Sequence, residues 1–76
     1  MDIVHKAARA RNLLADDTFK SVMEELRADQ LSIFENSASA DVNSREEAHS
    51  ILSALKKIES RLQAYITEEK ILDKRK

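Results

Sequence analysis

Glu46-Glu47-Ala48-His49 holds the spacing in this chain most open to a chemical reading, a Glu-x-x-His step. Di-iron carboxylate sites take that step from each of two helices and a further inward-facing Glu from each of two others. A helical hairpin that dimerised would supply two copies. The periodicity around the motif argues against it. On a helix beginning near Ser44, Glu46 lies nearly opposite the centre of the apolar stripe, and His49 falls a quarter turn or more away from it. Glu24 and Glu25, the nearest candidate partners, sit level with the middle of that helix and not with His49. The expectation is therefore no metal site and no cofactor. Glu46 and Glu47 read as solvated first-turn acids, favoured by the positive end of the helix dipole.

No other residues assemble into catalytic machinery. The chain has no Cys, which removes disulfides, thiolate metal sites and a cysteine nucleophile together. His5 has no plausible catalytic partner nearby in sequence, and the serines fall on predicted helices or in a loop without a nucleophile motif. Gly and Pro are both absent, which disfavours phosphate-cradling loops and tight hairpins. A chain of 76 residues in two or three helices leaves little volume for an enclosed pocket. The composition thus points to a protein that is not an enzyme and takes no small-molecule substrate.

Basic residues offer a different chemistry. Lys6, Arg9 and Arg11 share the first predicted helix, and Lys74, Arg75 and Lys76 close the chain. Together they form the candidate nucleic-acid contact set, whose affinity would fall steeply with salt. The balance of charge opposes a dedicated polyanion binder, since the net charge is −1 and the middle segment is strongly acidic. The short turn and Gly of a helix-turn-helix are also missing.

These side chains must be positioned by helices. Charged residues make up 36% of the chain and aromatics only 4%, with Ala, Leu, Glu, Lys and Arg dominant, the composition of long helices in mutual contact. Residues 2–15 carry Ile3, Ala7, Ala10 and Leu14 at helical spacing, with Ala7 and Ala8 small enough for another helix to approach closely. Asp17 reads as the N-cap of a second helix over 18–36, whose stripe includes Phe19, Val22, Met23, Leu26, Ile33 and Phe34. Residues 36–43 are a polar loop. Ser44 with Glu47 has the form of a capping box opening a third helix over 44–72, and Ala48, Ile51, Leu55, Ile58, Leu62 and Tyr65 follow in a heptad-like seam. No apolar run is long enough to span a membrane, and the N-terminus lacks a signal-peptide core.

The expected architecture is all-α: one domain over residues 1–76, an antiparallel hairpin of the second and third helices, and a short N-terminal helix packed across it. At 1.5 Å per residue the second helix spans about 29 Å and the third about 43 Å, so the third overhangs the hairpin. Leu62, Tyr65, Ile66 and Leu72 are accordingly the expected protein interface, facing either the first helix or another chain. A domain this small buries only about 60% of its unfolded surface, and self-association is a common reinforcement.

The segments "LLADDTFKSVMEELR" and "DVNSREEAHSILSALKKIESRL" resemble a group of small helical proteins encoded by tailed bacteriophages and prophages. Leu13, Leu14, Asp17, Phe19, Arg45, Glu46, Glu47 and Leu55 carry the likeness, with Thr18 and Phe34 standing where relatives often have Pro and Trp. The resemblance implies a virion or assembly accessory protein with no catalytic residues, acting in the bacterial host cytoplasm or in the particle. Its expected partner is a further copy of itself, as a homo-oligomer, or a larger phage or host protein. The alternatives are a small nucleic-acid-associated regulator or packaging factor, and an inhibitor of a host protein that uses the acidic second helix.

Overall fold

The computed structural model of the chain describes residues 2–38 and 41–74. Those residues are 93% helical, with no strand, in a three-helix all-α arrangement. Helix α1 covers Ile3–Ala15, α2 covers Asp17–Asn36 and α3 covers Val42–Lys74. The molecule is long, measuring 56 × 23 × 18 Å. Its length follows from α3, since 33 residues at 1.5 Å each give a rod of about 50 Å.

Every helix begins at an aspartate. Asp2 accepts from the His5 backbone N–H at 2.9 Å, Asp16 from Phe19 at 2.8 Å, and Asp41 from Ser44 at 3.2 Å. In each case a carboxylate satisfies an amide of the first turn that has no partner further back in the helix. The Asp2 carboxyl is held below its ordinary range, first by the bond from the His5 amide and further by the nearby His5 ring.

Two of these caps correct the expected ones. Asp17 is the first helical residue of α2, and its neighbour Asp16 is the cap. The reason lies in the join between helices. Asp16 is extended, with ψ 127°, and its backbone N–H donates to Leu13 at 3.1 Å. One residue therefore closes α1 and opens α2, which leaves Asp17 free to enter the helix. At the start of α3, Asp41 caps and Ser44 lies inside the helix. A carboxylate three residues earlier supplies the acceptor for the Ser44 amide, so α3 starts at Val42 and not at 44. The far end of α3 runs to Lys74, two residues past the expected 72.

α3 is the common support. α2 packs antiparallel along it from the loop end, where Gln30 and Ile33 stand beside Ala48 and Ile51, to beyond the Arg27–Glu59 ion pair. α1 packs chiefly on α3 and touches α2 only sparsely. The contacts that place it are on the C-terminal half: Arg11 is 2.8 Å from Glu69, and the Lys6 Nζ stands 5.5 Å from the centre of the Tyr65 ring. The buried residues are Ala7, Ala10, Met23, Ala48, Leu55 and Ile66. Half of these are alanines, so the helices approach closely but bury little apolar side-chain area. None of the described large side chains is fully enclosed.

Candidate docking surface

α1 settles where the expected interface residues lie. Ala7 is 0% exposed and Ala10 2%, so the small side chains of α1 face inward. Opposite them Ile66 is buried at 7%, and Leu62 and Tyr65 are half-buried. Ile66 is core and cannot serve as an open docking residue in this fold. Leu62 and Tyr65 offer only part of their surface. The physical cause is the alanine pair, because a helix whose contact face lacks bulk settles low enough to cover the seam. Of the four expected interface residues only Leu72 remains exposed, at 43%.

The basic set is divided in the same way. Arg11 bonds Glu69, whose side chain is only 13% exposed, and Lys6 sits over Tyr65 in a cation–π arrangement. Both fasten α1 to α3. Arg9 is exposed, and Lys74 is exposed in the last turn of α3, where a cation complements the helix dipole. Arg75 and Lys76 lie outside the described residues. Lys6 and Arg11 are thus committed within the chain.

Glu46 and His49 line an open depression of roughly 460 Å³ with Phe34, Val42, Arg45 and Ser50, at the loop end of the hairpin. No group of three or more His, Asp or Glu side chains placed to hold a metal ion occurs among the described residues. The depression's lining combines one aromatic side chain, Phe34, with both acidic and basic ones. No helix among the described residues is long and apolar enough to cross a membrane.

The feature that stands out is exposed apolar surface, present on the overhang at Ile71 and Leu72 and, in a larger group, on the hairpin. Val22, Leu26 and Ile33 of α2 and Ile58 of α3 are between 39% and 45% exposed. Helical geometry puts them together. At about 100° per residue, Val22, Leu26 and Ile33 all lie about 60–100° to one side of Met23, the α2 residue buried against α3. Ile58 lies about 60° to the same side of the buried Leu55, with Ala54 beside it. Because the two helices are antiparallel, equal rotation in the same sense brings both sets to one face of the hairpin. Leu31 and Leu52 rotate the other way and belong to the opposite face.

The scale of exposure is also unusual. The chain leaves 5879 Å² accessible, against about 4,700 Å² expected for a compact monomer of this mass. Its radius of gyration is 16.5 Å, against about 11 Å for a compact domain of this length. The surplus, about 1,100 Å², exceeds the roughly 800 Å² that each partner contributes to a standard protein interface. Sequence patterning had placed Val22, Leu26, Ile33 and Ile58 in the stripes that make the helices amphipathic. What it lacked was the rotation of each helix in the folded hairpin, which decides the outward members of a stripe.

No family model, curated protein or solved structure matches the chain.

Proposed function

We propose that this chain is a non-enzymatic docking piece that works by burying the apolar face of its α2–α3 hairpin against another protein surface. One observation carries the reading: a thin core, half of it alanine, beside an exposed apolar stripe of Val22, Leu26, Ile33 and Ile58. Large apolar side chains gathered on one face stay in water at a cost of about 25 cal/mol per Å², which association removes. The acidic α2 and mixed α3 then set orientation and partner choice more than affinity. This reading moves the contact surface from the C-terminal overhang of α3 to the hairpin.

The setting we propose is the assembly or particle of a tailed phage, in the cytoplasm of its bacterial host or in the virion. What supports it is the resemblance read from the sequence, over most of residues 10–66, to small phage-encoded helical proteins. Regulation through nucleic acid is less well supported, because Lys6 and Arg11 are engaged on α3.

Two measurements on the purified chain test the reading. The first is binding of a hydrophobic dye beside sedimentation velocity over a wide concentration range. The chain either associates or, as a monomer, takes up the dye on its open face. The second is titration with a 30-base-pair duplex at 50 mM salt, which is expected to give no complex. A folded monomer that binds no dye at any concentration overturns the docking reading. Tight duplex binding that weakens steeply with salt and is lost on Lys6→Ala, Arg9→Ala and Arg11→Ala replaces it with the nucleic-acid one.

A further inference from the structure

We infer that the occupant of the hairpin face is a second copy of this chain, in a two-fold dimer that sets α2 of each copy on α3 of the other. The inference rests on the docking reading and adds to it the partner, the symmetry and the pairing.

Charge placement is the first support. On α2, Glu25 and Asp29 follow Met23 by two and six residues, on the outer margin of the apolar stripe. On α3, Lys57 and Arg61 follow Leu55 by the same two and six residues. Measured from each helix's buried contact residue, the two acids and the two bases therefore occupy the same angular positions. All four are exposed, and among the described residues none is ion-paired within the chain. They also stand at similar heights, since Arg27, between the two acids, pairs with Glu59, between the two bases. A two-fold axis along the length of the hairpin carries α2 of one copy over α3 of the other. That operation sets Glu25 and Asp29 against Lys57 and Arg61, and by symmetry does so twice.

Apolar matching is the second support. The same axis lays Val22 and Leu26 of one copy against Ile58 and Ala54 of the other. The result is an antiparallel four-helix layer around a shared apolar centre, the arrangement in which such stripes are ordinarily buried. A heterologous partner would need no match between the chain's own acids and its own bases. The self-complementary pattern is what selects a copy of the same chain.

A charge-swap experiment tests the proposal on exposed residues that the fold does not depend on. One variant carries Glu25→Lys and Asp29→Lys, and the other Lys57→Glu and Arg61→Glu. Each alone places like charges in both contacts of its own homodimer, so each should dissociate at about 10- to 100-fold higher concentration than the unaltered chain. An equimolar mixture restores opposite charges in both contacts, and sedimentation should find a 1:1 heterodimer with near wild-type affinity. Circular dichroism of the single variants should be unchanged, which separates lost pairing from lost folding. Leu26→Asp should abolish the dimer in every background.

The outcomes are distinct. If the unaltered chain dimerises and the charge variants dimerise equally well, the α2-on-α3 pairing and its symmetry are wrong while the docking reading stands. If the unaltered chain is monomeric at millimolar concentration yet binds hydrophobic dye, the face is open for a different protein and the self-pairing fails alone. A dye-silent monomer sinks both.

Discussion

α3 is covered by two different kinds of helix. Its C-terminal half meets α1, which presents Ala7 and Ala10 and holds itself in place with Arg11 on Glu69 and Lys6 over Tyr65. α2 runs antiparallel along α3 from the loop end to beyond Glu59, buries only Met23 and leaves Val22, Leu26 and Ile33 substantially in water. Length would have suggested a closed hairpin and an open overhang, yet large apolar side chains stay exposed on both, Val22, Leu26 and Ile33 on α2 and Ile71 and Leu72 at the end of α3. Bulk at the contact face decides the matter. Alanines let α1 sink onto the seam and hide Ile66, whereas larger residues on α2 keep its flanks outside the contact. A small helix with small side chains can therefore shield more of a neighbour than a longer one with large side chains.

That contrast can be broken most decisively by the same kind of deletion on each side. Ile66→Ala removes a buried side chain and is expected to lower stability by about 2–5 kcal/mol in urea unfolding. Leu26→Ala, measured at a concentration low enough to keep the chain monomeric, should cost less than about 1 kcal/mol, because the side chain is already two-fifths exposed. Equal effects would mean that the two contacts are equally packed. At high concentration the Leu26 variant should lose more, since association then contributes to the stability of the unaltered chain.

The next largest effect tests why α1 fits. Ala7→Leu inserts bulk at a position with no exposed surface and should destabilise by about 1–3 kcal/mol. It should also raise dye binding as α1 lifts from Ile66. The corresponding change on the outer face, Ala54→Leu, is expected to be nearly neutral in the monomer. A stabilised Ala7 variant would show that α1 does not sit as close as described.

Smaller still is the shared cap at Asp16. Its loss in Asp16→Ala should cost about 1 kcal/mol and lower helicity on both sides of the hinge, as read by amide exchange at Leu13 and Phe19. The smallest effect is acid sensitivity at the start of α1. A depressed carboxyl contributes stability that is present above its unfolded value and is lost as pH falls through the lower folded one. Asp2 is such a group, shifted down from 3.8, so the first turn of α1 should hold from neutrality to about pH 4 and fray only below it. Asp2→Ala should show the frayed turn already at pH 7. A pH-independent first turn in the unaltered chain would remove the cap from the account.

Much of this was readable from residue order. The 3.6-residue recurrence of Ile3, Ala7, Ala10 and Leu14, and of Ala48, Ile51, Leu55, Ile58 and Leu62, identifies helices because periodicity is a local property. The break at Asp16-Asp17 and the polar run after Asn36 were equally plain. The caps were harder, since each junction offered two acceptors within three residues. Which one bonds depends on the residue that takes the extended backbone, and neighbouring residue types alone do not settle that. The interface was harder again. Leu62, Tyr65 and Ile66 have the same pattern whether α1 covers them or not, and Val22 and Leu26 belong to the same stripe as Met23.

Sequence by itself determined the helical class, the three segments, the polarised charge and the lack of thiolate chemistry, because each follows from residue type and local spacing. Tertiary structure alone decided which members of each stripe became core. A stripe about 100° wide or more can be buried only as far as its neighbours reach. That reach depends on how closely each pair of helices packs, and here Ala7 and Ala10 set it under α1 while the flanks of α2 left it short along the hairpin.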